Sequence, residues 1–366
     1  MLSILHLESS PGWGGQEIRI LKESEGLIAR GHKVVLAPQK GGGLAKYALE
    51  KGLIVYEIDY SKKRLLPCLW EIYRILKKEK INIINTHSSI DSWFGGTLAR
   101  LMRIPIVRTR HLSTEVRVGL NSRLLYHLLT DYVVTTCEAV IPKLSSQSGK
   151  PLSYFSSIPT GVDVEKIIVN PQEQEAFRTS LQVMPNELLV GTACFMRSWK
   201  GIEDFLQAAC LSRGLGIKWV IIGGGHSERY VQRSKELSLD GVVHFTGHLE
   251  NPMPAIAALD VFVLLSTAHE GVSQSSLQAA YLKKPLIMTP TGGNSEVCLD
   301  QVTGIQVPIF SPQKVLEAVL TMKESPEKRK QWGESAHKLV LEKFTLNSML
   351  DSMEKIFINV GGYGRK

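Results

Sequence analysis

The sequence predicts an α/β protein built from two doubly wound, parallel-sheet domains. Three observations predict it. Short apolar, β-rich runs alternate with amphipathic helical patterns from end to end, the signature of βαβ units. The pattern restarts after Pro159-Thr160-Gly161-Val162-Asp163. At 366 residues the chain is too long for one ordinary core and long enough for two domains of roughly 150–200 residues.

Taken in order, the first-half strands fall at 3–8, 33–38, 55–59, 81–87, 106–110 and 132–137. Between them, apolar residues recur at helical spacing over 17–30, 93–103 and 122–130. The second half supplies strands at 188–194, 219–223, 242–246, 261–266, 285–289 and 305–308. From Pro312 onward the pattern is nearly all helical, and 347–360 is a helix with no assigned place on the surface. The domains are therefore drawn as 1–165 and 166–345, with a C-terminal helix over 346–366 that can pack back on the first domain. Repeats and low-complexity tracts are absent from the sequence.

Composition narrows the class. Hydrophobic residues make up 43% and charged residues 21%, a globular balance. Net charge is +8, and residues 1–165 carry 22 basic against 15 acidic groups, so nearly all of the surplus lies in the first half. A negatively charged partner is expected to meet that half. No basic–aromatic module accompanies the charge, which argues against a nucleic-acid binder. Apolar runs such as 261–265 fall far short of the ~20 residues that cross a bilayer. The N-terminus reads as a first strand and lacks a basic leader pattern. Five scattered cysteines (Cys68, Cys137, Cys194, Cys210, Cys298) include no CxxC pair, so a reducing cytoplasm is expected.

The segment 62–80 holds seven basic and two acidic residues. Leu65, Leu69, Trp70, Tyr73 and Leu76 lie at helical spacing, with Pro67 placed to start a helix. The plain reading is a crossover helix whose apolar stripe packs on the sheet. A sharper one adds a role for its Lys and Arg on an anionic membrane surface.

Chemistry collects at strand ends. The first strand leads through Pro11-Gly12-Trp13-Gly14-Gly15 into a helix, where glycines let backbone amides approach an anion. The spacing is not GxGxxG, and Ala37-Pro38-Gln39 puts no acid after the second strand, which disfavours a nicotinamide enzyme. In the second half, Arg197 and Lys200 follow a strand and precede a helix, an arrangement suited to a diphosphate. His269-Glu270-Gly271-Val272-Ser273-Gln274 then runs from a strand into a helix, and Thr291-Gly292-Gly293-Asn294 repeats the device.

These residues together resemble the retaining glycosyltransferases of family 4. The matching stretches, in order, are Gly14-Gly15-Gln16-Glu17, Gly31-His32-Lys33-Val34, Thr109-Arg110-His111, Thr160-Gly161-Val162-Asp163 and Lys200-Gly201. They continue with Ile222-Gly223-Gly224-Gly225, Phe245-Thr246-Gly247-His248, Glu270-Gly271, Gly292-Gly293 with Glu296, and Thr303-Gly304. The resemblance covers nearly the whole chain. It implies the GT-B fold, two Rossmann-like domains facing across a cleft, with the nucleotide-sugar donor held mainly by the second.

Site residues carried over from that resemblance are as follows. Arg197 and Lys200 would hold the diphosphate, and Glu270, the first acid of the family's E-x7-E motif, would lie by the donor sugar. The second acid, which holds the ribose, is Gln278 here, and neutral hydrogen bonds are roughly half as strong as charge-assisted ones. Gly14, Gly15, Gly224, Val272, Ser273, Gln274, Gly292 and Gly293 complete the donor set. His111 resembles the family's active-site histidine, while His87 and Arg110 are candidates on the acceptor side. Two further departures are Phe195, where the family's arginine would fall, and Thr160 in place of an Asn.

The resemblance implies a reaction in which the leaving phosphate takes the acceptor's proton on the same face, so no carboxylate pair is needed. Arg197, Lys200 and the amides at Gly14-Gly15 and Gly292-Gly293 would stabilise the leaving charge, at ~3–4 kcal/mol for each preorganised donor. With no Asp-x-Asp at a strand end, no metal and no other cofactor is expected. The basic first domain, with Arg117 and Arg123 in the loop 112–123, suits a lipid-linked, phosphate-bearing glycan in cell-envelope polysaccharide or lipopolysaccharide assembly. The expected location is the cytoplasm, peripheral on the inner face of the membrane. A nucleotide-sugar epimerase of the same architecture is the nearest competing reading. A catalytically impaired nucleotide-sugar-binding scaffold, suggested by Gln278 and Phe195, is the other.

Overall fold

The computed structural model describes residues 1–111 and 119–363, with the side chains of Lys62 and Tyr363 excepted. The chain divides into two compact units. Unit 1 comprises Met1–Thr160 with the chain from Met349 onward, and unit 2 comprises Gly161–Ser348. Arg117 lies outside the described residues.

Unit 1 carries seven parallel strands: β1 (Ser3–Glu8), β2 (Lys33–Pro38), β3 (Ile54–Val55), β4 (Ile83–Thr86), β5 (Ile106–Arg110), β6 (Tyr132–Thr135) and β7 (Phe155–Ser157). Their order is β3-β2-β1-β4-β5-β6-β7. The chain winds outward from β1 to β3, then returns to β4 on the other side of β1. That reversal opens a crevice at the carboxyl ends of β1 and β4. All six residues of β1 are buried, because helices cover both faces of the sheet.

Unit 2 repeats the plan with β8 (Leu188–Ala193), β9 (Ile217–Ile222), β10 (Val243–Gly247), β11 (Val261–Leu264), β12 (Leu286–Met288) and β13 (Gly304–Gln306). The order β10-β9-β8-β11-β12-β13 puts the reversal between β8 and β11. Its core includes Phe205, Trp219 and Val263, none of them more than 1% exposed. The Phe205 and Trp219 rings meet edge to face with centroids 4.9 Å apart. Burying each ring contributes up to about 3 kcal/mol. Trp219 Nε1 donates to Ser212 Oγ at 2.8 Å, so its polar end is not left unpaired.

Several expected elements differ in detail. The strand expected over 55–59 is only Ile54–Val55, continued by a lone bridge between Gln39 and Ile58. As the outer strand it has a neighbour on one side alone. β7 was not expected: Phe155-Ser156-Ser157 is too short and polar to read as a strand, and forms because β6 offers it an open edge. The helix expected over 122–130 is a short α-turn, Leu120–Arg123, running into a π-turn, Leu124–Leu128. The helix of the 62–80 segment runs from Leu65 to Lys78, with Pro67 inside its first turn. Its buried face is Cys68, Ile72, Ile75 and Leu76, so the packing stripe is rotated from the expected one. Leu65, Leu66 and Trp70 are 55%, 75% and 60% exposed.

Unit 2 begins at Gly161 rather than at residue 166, because the Val162 N–H donates to Phe344 O and Val162 O accepts from Leu346 N–H. The C-terminal helix, Leu346–Tyr363, packs within unit 1 from Met349 onward. Gly26 leaves room for Leu350, whose Cδ1 would lie 2.3 Å from any Cβ there. Arg30 pairs with Asp351 (2.7 Å) and Glu354 (2.9 Å), and Phe357 is fully buried against His6. Among the described residues, no helix is long and apolar enough to cross a membrane.

Candidate active site

In each unit the candidate residues gather where the strand order reverses. In unit 2 the loop after β8 carries Arg197 and Lys200, and the loop after β11 carries Glu270. Two backbone approaches join these loops. Gly201 has φ +66° and sits so close to β11 that a Cβ would be 2.0 Å from Leu265 O. The Thr267 N–H donates to Trp199 O at 2.8 Å. Lys200 Nζ consequently reaches Glu270 Oε1, which also accepts from Ser266 Oγ at 2.6 Å. Glu270 is 6% exposed, and a buried carboxylate needs such partners.

The backbone at this point is tightly constrained. His269, next to Glu270, is a non-glycine residue at φ +60°, its ring edge-on to Trp199 with centroids 5.4 Å apart. Gly292 has φ +57°, and a Cβ there would lie 1.8 Å from Glu270 O. The Gly293 N–H donates to that same carbonyl at 3.3 Å. These glycines therefore let the loop after β12 press on the Glu270 backbone.

Two of the four glycine amides expected to face a leaving phosphate are engaged within the chain. Gly293's N–H is taken by Glu270 O, and Gly14's N–H donates to Glu17 Oε2 at 2.8 Å. Gly15 opens the helix Gly15–Ala29. Gly224 O accepts from Met196 N–H, tying the loop after β9 to the one after β8. Val272 is buried. Ser273 caps the helix Gln274–Tyr281 without accepting a bond from its amides through the side chain, and Gln278 lies half-buried on that helix. Arg197 is exposed, with its guanidinium 5.3 Å from the Phe195 ring centroid and 5.2 Å from that of Trp199. The residue at the departing position, Phe195, thus supports the arginine two places on.

In unit 1, Glu8 ends β1 and is wholly buried. Its Oε1 accepts from Ser88 Oγ (2.7 Å) and the Ser10 N–H (2.7 Å), and its Oε2 accepts from Gln16 Nε2. Asp91, also buried, takes the N–H groups of Ser88 (3.0 Å), Ser9 (3.3 Å) and His87 (3.3 Å). Burial first, and Asp91 second, push the Glu8 carboxyl up to about 8. Burial raises Asp91 to about 6 despite its backbone donors. Beside them, His6 Nδ1 meets His87 Nε2 at 2.9 Å, and His87 Nδ1 meets His111 Nε2 at 2.9 Å. Burial drives all three imidazoles well below their ordinary value, to about 3 for His6, so they are neutral near pH 7.

His87 cannot serve as an acceptor-side contact, because both of its ring nitrogens are engaged by other histidines. Arg110 Nη1 donates to Tyr126 OH at 3.0 Å. Reading the sequence did not single out His6, Glu8, Asp91 or Ser266. The available signal was an ionisable residue at the carboxyl end of an inner strand, which Glu8 displays. Among the described residues, no group of three or more His, Cys, Asp or Glu side chains is arranged to hold a metal ion.

Comparison with known proteins decides the family. Residues 173–339 match the model for glycosyl transferases group 1, and residues 13–166 match that for glycosyltransferase family 4. The O-antigen chain mannosyltransferase C of Escherichia coli is 30% identical over 361 residues, covering 94% of each chain. The chain belongs to the group 1 glycosyltransferases. An uncharacterized glycosyltransferase of Methanocaldococcus jannaschii, MJ1069, is 27% identical over 62% of this chain, and the match spans just 58% of that protein's length. Anabaena Alr3699/HepE, crystallised in complex with UDP, superposes with a TM-score of 0.87 at 19% identity, covering 98% of this chain and all of that one. The glycosyltransferase thus has the GT-B fold.

Proposed function

We propose that this glycosyltransferase moves a sugar, with retention of configuration, from a nucleotide-sugar donor to a glycan or lipid-linked acceptor in cell-envelope polysaccharide or lipopolysaccharide assembly. The observation that carries the donor half is the Lys200–Glu270 pair at the strand-order reversal of unit 2, with Arg197 on the same loop. Two cations and a strand-end carboxylate suit a diphosphate and the sugar attached to it. Cleavage builds negative charge on the leaving diphosphate. Arg197 and Lys200 stabilise that charge, and the departing oxygen takes the acceptor's proton. Glu270 orients the sugar and keeps Lys200 in place. The diphosphate's charge is met by these side chains, so turnover proceeds without a resident metal. The UDP complex of HepE and the likeness to an O-antigen chain mannosyltransferase support this reading.

The acceptor is assigned to unit 1, where the basic surplus lies. The helix Leu65–Lys78 supports peripheral attachment to an anionic membrane. Leu66, Trp70, Arg74 and Lys77 follow one another at helical spacing, and all four are exposed. A thermal-shift screen of UDP-, GDP- and ADP-linked sugars tests the donor. The matching donor raises the melting temperature, following RT ln(1 + [L]/Kd). Glu270→Ala should then abolish transfer while far-UV circular dichroism stays native. Full transfer by that variant would overturn the site assignment.

A further inference from the structure

His111 follows β5, His87 follows β4 and His6 lies within β1, so neighbouring strands bring the three rings together. The rings form a ladder, with centroids 5.2 Å apart between His6 and His87 and 5.1 Å between His87 and His111. Each junction holds one hydrogen bond between two ring nitrogens, and a neutral imidazole offers one donor and one acceptor. The tautomers are therefore locked in step, and the whole ladder has just two states.

In one state His6 Nδ1–H donates to His87, His87 Nδ1–H donates to His111, and His111 is left with its proton on Nδ1. In the other every proton sits on Nε2, and the ladder ends in His6 Nε2–H. His6 Nε2 is buried without a hydrogen-bond partner, with Phe357 edge-on to the ring. The second state would strand a donor there, whereas the first leaves only a lone pair. Buried orphan N–H groups are the rarer and costlier of the two.

We infer that His6 and His87 are positioning residues that hold His111 in its neutral Nδ1–H tautomer, so that His111 meets its substrate through Nδ1 as a hydrogen-bond donor and not as a base. His111 Nε2 is already occupied by His87, which leaves Nδ1 as the ring atom for a ligand oxygen. The inference rests on the assignment of His111 to the active site. It makes a statement about the free protein that holds independently of activity.

The test is two-bond 1H–15N correlation spectroscopy of the histidine-labelled protein, with His111 assigned by its loss in His111→Ala. A protonated Nδ1 and a bare Nε2 on His111 are expected in the wild type. An Nε2–H tautomer would overturn the proposal. His6→Phe makes His87 Nε2 the buried end of the ladder, where a stranded N–H is again the costlier state, so His111 should keep its Nδ1–H tautomer and kcat. His6→Asn, whose amide can present either its N–H or its oxygen to His87 Nε2, should give a mixture of His111 tautomers and lower kcat several-fold while the donor KM holds. If His6→Phe fails to fold, the wild-type spectrum and His6→Asn still decide. Unchanged turnover in His111→Ala with an Nδ1–H wild-type spectrum would refute the active-site assignment and leave the tautomer ladder standing. Loss of turnover with an Nε2–H spectrum would do the reverse.

Discussion

Glu8→Gln probes the carboxyl pair at the head of unit 1. Glu8 and Asp91 each accept from at least three donors, but the Arg108 charge favours the ionised form of Asp91, so Glu8 holds the pair's proton. In the unfolded chain Glu8 ionises near its ordinary 4.5, whereas in the folded protein it keeps its proton to about 8. Between those values the folded state binds more protons than the unfolded one. The Glu8 contribution to stability must therefore fall as pH rises through that window and level off above it. At roughly 1.4 kcal/mol per pH unit, the full span amounts to ~5 kcal/mol, shared with Asp91 because the two titrate together. Glutamine has no proton to lose, and its Oε1 can still accept from Ser88 and Ser10. The buried imidazoles titrate alike in both proteins, so the variant-minus-wild-type difference reads Glu8; it should grow in favour of the variant as pH rises and level off above pH 8. Hydrogen-exchange mass spectrometry of unit 1 peptides across pH 5 to 9 reads this without requiring both units to unfold together. Parallel profiles for the two proteins would refute the reasoning.

Three further outcomes follow from the same geometry. Gly292→Ala adds a left-handed Cβ penalty of ~1–2 kcal/mol to a backbone clash against Glu270 O, for a total of about 3 kcal/mol or more by urea unfolding. Gly214→Ala, at φ +74° with nothing within 4 Å, should show only the conformational part, and an equal loss in both would remove the clash argument. Gln278→Glu should tighten nucleotide-sugar binding about two- to fivefold by calorimetry, since a charged acceptor strengthens a ribose hydrogen bond, and weaker binding would argue against a ribose contact there. Replacing Trp70 by Ala with Lys63, Lys77 and Lys78 by Glu should abolish sedimentation with anionic vesicles, and undiminished binding would sink the membrane role of the Leu65–Lys78 helix.

Much of this molecule is written locally. β1, β2 and β5 stand where their apolar-rich runs lie, because strands buried on both faces draw mostly apolar residues; His6 and Glu8 in β1 and Arg108 in β5 are buried exceptions. Lys200 and Glu270 were legible for a related reason: a charged residue or glycine just past such a run sits at the carboxyl end of a parallel strand, where ligands bind. Local pattern says little about edges. β3 came out shorter than its pattern, and β7 formed from a segment with almost no strand signal, since a single neighbour sets their extent. It also could not orient the Leu65–Lys78 helix, whose amphipathic sequence offered two overlapping stripes.

What only the tertiary structure decided is proximity between residues distant in sequence. His6, His87 and His111 form one ladder because β1, β4 and β5 are neighbours, an order no short-range period encodes. Glu8 and Asp91 perturb each other because the β1 and β4 ends share one reversal point. The C-terminal helix belongs to unit 1 because Gly26 opens space for Leu350 and because His6 meets Phe357. The sequence by itself determined strands, helices and the chemistry at their ends, since these depend on periodicity and residue type. Burial and neighbouring charge decided which of those groups hold a proton, and both exist only once the sheets are assembled.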